Sequence, residues 1–126
     1  MARSAHNDVL DALLDKIATA TLLCVCDTEP TTHAEAFTTY MLATTSLTPG
    51  DGNDFNIADD VSGRKITPVE KAAITISNTG TAAHIAYCNA TVVLFVTTCT
   101  AQLLTAAGTV TVPTFDINVL DPTPPL

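Results

Sequence analysis

Four cysteines and three histidines are the side chains best suited to chemistry in this sequence. The thiols are Cys24, Cys26, Cys88 and Cys99. In a strand, Cys24 and Cys26 point to the same face, because side chains alternate with a period of two. Zinc held by these four, or by some of them with His84, is one reading. The paired Cys-x-x-Cys spacing of structural zinc sites is missing, however, and both later cysteines stand alone. A disulfide is a second reading. Free, buried thiols are the preferred one, since a reducing cytoplasm keeps cysteines unbridged and they pack as small apolar side chains.

The histidines add little to a catalytic case. His6 precedes the first helix, His33 sits in a polar turn, and His84 falls on a strand. There it shares a face with Ala86 and Cys88, while Ile85 and Tyr87 share the other. Cys88 and His84 are too far apart along one strand for a hydrogen-bonded dyad. His84 therefore reads as a structural residue on the less buried face. The loop Thr-Pro-Gly-Asp-Gly-Asn-Asp (48–54) carries Asp51, Asn53 and Asp54 but lacks the full calcium-loop pattern and its distal Glu. It reads as a solvated turn. Asp59 and Asp60 are adjacent within a turn, which does not place two carboxylates across a cleft. Asn89-Ala90-Thr91 matches a glycosylation acceptor by chance, with no secretion signal ahead of it. No nucleophile elbow, zinc-protease helix, phosphate loop or dinucleotide fingerprint occurs. The sequence assigns no catalytic, cofactor-binding or metal-ligating residue and implies no cofactor.

The elements that would position such residues are mostly strands. Between 72 and 119, short runs rich in Ile, Val, Thr and aromatics are broken by Asn-Thr-Gly, Asn-Ala, Gly108 and Pro113, the pattern of strands joined by tight turns. Strands are expected over 72–80, 81–88, 91–97, 109–113 and 115–119, and earlier at 21–26 and 55–58. Residues 64–69 read as extended, at a sheet edge, because Pro68 cannot donate to a ladder. Ahead of them, 6–17 reads as an amphipathic helix capped by Asn7 or Asp8. Val9, Leu10, Leu13, Leu14 and Ile17 form its apolar stripe, with Asp11, Asp15 and Lys16 opposite. That stripe packs on the sheet or, in a sharper reading, docks on a partner. Residues 33–43 read as a short helix or helical turn. Asp-Pro-Thr-Pro-Pro-Leu (121–126) reads as an extended, polyproline-like tail able to lie across a neighbour. The expected fold is mainly β, a small antiparallel sandwich or barrel-like domain with an N-terminal helix. One domain spans 1–126, with a helix-containing part (1–47), a β-rich part (54–120) and the tail.

The totals narrow the function. The chain has 126 residues, enough for one ordinary domain. Charged residues are 14% of it, below the usual quarter, so the surface is polar through hydroxyls, which suits packing against neighbours. Formal net charge is -8, and the few bases are scattered, which argues against nucleic acid and anionic membranes as partners. No stretch is apolar enough for a membrane span, and the polar opening followed by periodic apolar residues argues against a signal peptide. Synthesis in a cytoplasm follows.

Five runs stand out along the chain: Ala-Arg-Ser-Ala-His-Asn-Asp-Val-Leu-Asp-Ala-Leu-Leu-Asp at the start, Asp-Val-Ser-Gly-Arg-Lys-Ile-Thr in the middle, Thr-Gly-Thr-Ala-Ala-His-Ile-Ala later, then Val-Thr-Thr-Cys-Thr-Ala-Gln-Leu-Leu-Thr and Gly-Thr-Val-Thr-Val-Pro-Thr-Phe-Asp-Ile. Together, over nearly the whole chain, they resemble small virion proteins of tailed bacteriophages. The resemblance implies a non-enzymatic structural protein of the virion, made in the bacterial host cytoplasm. A capsid decoration or cement protein is the first expectation, a homotrimer or other homo-oligomer bound to the major capsid protein. A tail, collar or baseplate component, including a receptor-binding module, is the alternative. It ranks lower because the chain has no Trp and only two Tyr to offer as sugar platforms.

Overall fold

The computed structural model describes residues 6–120, so the tail expected at 121–126 lies outside the described residues. The described chain is mainly β, with antiparallel sheets and an N-terminal helix. It divides into two compact units interleaved along the sequence. Among the described residues, one comprises 6–19, Pro49–Val69 and 114–120; the other comprises Ala20–Thr48 and Glu70–Pro113.

In the first unit, helix α1 spans Asn7–Ile17. Its cap is His6, not Asn7 or Asp8: the His6 Nδ1 accepts the Asp8 N–H at 3.1 Å. An imidazole nitrogen here satisfies one of the helix's free first-turn amides. The apolar stripe is also turned from its expected position. Leu10, Leu14 and Ala18 are buried, whereas Val9 and Leu13 are 64% and 61% exposed. Asp11 falls on the packed side, where Arg64 meets it. Strands β3 (Phe55–Asp59), β4 (Arg64–Pro68) and β9 (Ile117–Val119) form a three-stranded sheet in the order β3-β4-β9. Strand β4 is therefore central, against the edge position expected from Pro68. β9 pairs only with Arg64, Lys65 and Ile66, so the missing N–H of Pro68 lies beyond the ladder that would need it. Phe55 and Ile66, both fully buried, anchor this unit.

In the second unit, β1 (Leu22–Cys26), β2 (Met41–Ser46), β6 (Gly80–Cys88) and β7 (Val93–Leu104) form an antiparallel sheet in the order β2-β1-β6-β7. Central strand β1 is buried on both faces from Leu23 to Cys26, which explains its unbroken apolar run. The short helix or helical turn expected over 33–43 is present as a π-type turn, Glu35–Thr39, and it ends at Tyr40, ahead of β2. Thr32 Oγ1 accepts the Glu35 N–H, and the Glu35 carboxylate accepts the N–H and hydroxyl of Thr31, a reciprocal cap that starts the turn. Met41 and Ala43 pair with Cys26 and Val25 of β1 instead, with Leu42 at the bulge between them, and sheet pairing overrides their local preference.

Strands β5 (Lys71–Thr75) and β8 (Thr109–Val112) pair with each other. β5 is shorter than the expected 72–80 run: Ala73, at φ 55, bulges it, and beyond Thr75 the N–H groups of Ile76, Ser77 and Asn78 go to Gly108 and Leu42. β7 runs on past Thr97 to Leu104, longer than its expected span. The β6–β7 connection is closed by Asn89, whose Oδ1 accepts the Thr91 and Val92 N–H groups at 2.8 Å each, so the apparent glycosylation acceptor works as a turn.

Candidate functional site

The register of β1 on β6 sets Leu22 opposite Cys88, Cys24 opposite Ala86 and Cys26 opposite His84. Directly opposed residues of an antiparallel pair share a face. Cys24, Cys26, Cys88 and His84 thus lie on one face of the sheet, and the three thiols pack with Ala36 and Ala86 under Leu22, Tyr40, Val93 and Val96. This corrects the expectation that His84 sits on a less buried face: its neighbours Ala86 and Cys88 are fully buried, and its Nδ1 is buried with no hydrogen-bond partner. All four cysteines are free thiols.

The thiols of this face differ in acidity. Burial first, then the nearby Cys24 and Asp27, pushes the Cys26 thiol up to about 12. Cys88 is pushed up by its hydrogen bond to Cys24 and then by burial. The same bond favours the charged form of Cys24, against the opposing effect of its own burial. The Cys26 Sγ also meets the Ala36 carbonyl at 3.6 Å. A thiol that is buried and held protonated is a poor nucleophile and a poor metal ligand. Among the described residues, no three His, Cys, Asp or Glu side chains are placed to hold one ion.

The acids of the turns brace the backbone. Asp51 Oδ1 accepts the Ile57 N–H at 2.8 Å. Asp59 Oδ1 accepts from Arg64 Nη1 at 2.8 Å, and Asp60 accepts from the Val61 N–H and the Asn118 side-chain amide. Asp116 accepts from the Thr67 hydroxyl, which holds its carboxyl below the usual range. His33 stacks on Phe37, the ring centroids 5.7 Å apart.

The remaining feature is a cleft. β7 and β8 are joined by only the turn at 105–108, yet they do not pair. The turn is tied to the end of β5 instead: the Ala107 N–H donates to the Ile76 carbonyl and the Ile76 N–H to the Gly108 carbonyl, both at 2.9 Å. β8 is drawn onto β5, and the two arms part. Between them lies a space of about 200 Å³, lined by Val25, Ile85 and Cys99 with consecutive residues Val110, Thr111 and Val112. On the face of a strand only alternate residues would line it, so the space follows the edge of β8.

Sequence reasoning missed the charge pattern of this region. Between Lys71 and Asp116 the chain has no Asp, Glu, Lys or Arg at all. This stretch supplies β6, β7 and β8. Thr98, Thr100, Ala101, Gln102 and Leu103 are nonetheless exposed. The signal was legible as a gap in the charges, once charge is plotted along the chain rather than totalled. Comparison with family models, with curated proteins and with solved structures returned no match. No helix among the described residues is long and apolar enough to cross a membrane.

Proposed function

We propose that this chain is a structural subunit that works by packing against copies of itself and other proteins of a tailed-phage virion, most specifically as a capsid decoration protein. The observation that carries this reading is that the stretch between Lys71 and Asp116 has no charged residue even where it is exposed, at Thr98 and at Thr100 to Leu103, in a chain of net charge -8. An acidic surface keeps copies apart, and a neutral, hydroxyl-rich strand is where they can meet without like-charge repulsion. The runs that resemble virion proteins supply the setting. A sandwich or barrel-like closure of β5–β8 over the four-stranded sheet is the architecture that suits such a subunit. Cementing a shell is then an effect of mass action, since a part that binds only the assembled lattice stabilises it.

The test is a particle assembled without the chain. Such particles should lose their genome at a lower temperature than complete ones, and adding the purified chain back should restore the difference. Equal heat resistance with and without the chain would remove the cementing role.

A further inference from the structure

We propose that two copies of this chain join through the outer edge of β7, residues 97–104 of each pairing antiparallel about a two-fold axis so that two four-stranded sheets run on as one. The inference rests on the self-assembly reading above and names its contact.

β7 is the last strand of its sheet, and among the described residues no strand pairs with its outer side. A sheet edge presents a row of backbone donors and acceptors whose natural complement is another strand. Natural proteins blunt such edges with lysine, proline, a β-bulge or a covering loop. β7 has no charge and no proline; its register on β6 shifts between Thr98 and Gln102, and Thr100 to Leu103 stay exposed, Leu103 at 69%. The opposite edge of the sheet is not equivalent. There β2 is bridged to the chain after β5 through Ala43 and Ile76, and the Leu42 carbonyl accepts the Ser77 and Asn78 N–H groups.

The occupant is a second copy for two reasons. Antiparallel pairing of a strand with itself is self-complementary, so one surface serves both partners of a two-fold contact. Every formal charge of this acidic chain also lies outside the stretch that carries the edge. Next to the edge, the cleft offers an apolar wall of Val25, Ile85, Val110 and Val112. At about 200 Å³ it is smaller than the roughly 300–1,000 Å³ of small-molecule sites. It suits one or two side chains of an incoming strand. An edge contact of this length buries little area, so the dimer is weak alone and gains strength in an array.

Sedimentation of the full chain under reducing conditions, from micromolar to millimolar concentration, tests this. The wild type should dimerise. Thr100→Lys with Gln102→Lys places like charges across the two-fold and should weaken the dimer about tenfold or more, with circular dichroism and Tm unchanged because both positions are exposed. As a second measurement, single cysteines are placed at 98, 100, 101, 102 and 103 in a Cys99→Ser background and oxidised. Self-disulfides should peak at one position and fall off on both sides, as only a two-fold antiparallel pairing requires. An oligomer indifferent to the lysines and without that peak, a closed trimer included, leaves self-assembly standing and removes this interface. A monomer at every concentration removes both.

Discussion

Arg64 forks onto Asp11: Nε lies 2.8 Å from Oδ1 and Nη2 3.1 Å from Oδ2, joining the middle strand of the three-stranded sheet to the helix that lies on it. The third nitrogen, Nη1, reaches Asp59 at 2.8 Å. Arg64 is thus held by two carboxylates, which raise its already high pKa further, the hydrogen bond to Asp11 foremost. The planar fork matters as much as the charge, and lysine cannot reproduce it. Arg64→Lys should lower Tm despite keeping the charge. Because both single changes break the same contact, Asp11→Asn with Arg64→Lys should be far less damaging than the two effects added, a non-additivity read by a double-mutant cycle.

Two adjacent leucines of the helix should behave oppositely. Leu14 is fully buried and Leu13 is 61% exposed. Leu14→Ala should cost about 2–5 kcal/mol by loss of burial and the cavity left behind, whereas Leu13→Ala should stay within about 0.5 kcal/mol. Urea denaturation at matched concentration measures both.

The thiols give a pH prediction. Cys26 titrates at 9.0 in the absence of its surroundings and at about 12 when folded. The folded state then holds a proton that the unfolded chain releases between these values. The stability tied to this group is fully present below pH 9 and is lost as pH rises from about 9 to 12. Unfolding free energy should fall over that window, and Cys26→Ala should flatten the fall. A thiol reagent at pH 8 should modify Cys99 slowly and leave Cys24, Cys26 and Cys88 untouched until the protein is unfolded.

Glycines at 52 and 63 separate backbone strain from collision. Both have φ above +80°. A Cβ on Gly52 meets nothing within 4 Å, while one on Gly63 falls on the carbonyl oxygen of Val119. Gly52→Ala should cost about 1 kcal/mol for the left-handed conformation alone. Gly63→Ala should cost at least about twice as much, because the β4–β9 junction has to move as well.

Local pattern carried the strands and the helix, because burial period is written in neighbouring residues. The run 81–88, bounded by Gly80 and Asn89, marked β6 directly. Features that depend on partners far along the chain were hidden. Pro68 spoke for an edge, and only the shortness of β9 lets it end a central strand. Leu13 and Leu14 look equivalent until the strand under the helix selects one. Thr98 to Leu104 mixes small and polar residues with no period, and it extends as a strand because β6 pairs with it on both sides of a bulge between Thr98 and Gln102. Cys24 and Cys26 were placed on one face by spacing. That Cys88 and His84 join them follows from the β1–β6 register, which no local signal contains. The parting of β7 from β8 is set by the bonds of Ile76 to Ala107 and Gly108, so the cleft was out of sight, although the gap in the charges beside it was not.

The central claim is that this chain acts by lying against other subunits of a particle. Imaging the intact virion at a resolution that traces strands tests it most directly. The account predicts density for this fold on the outer capsid surface, in numbers proportional to the shell's subunits and with β7 edges of neighbouring copies side by side. A particle whose shell and tail hold no such density, together with a purified chain that stays monomeric, would contradict it.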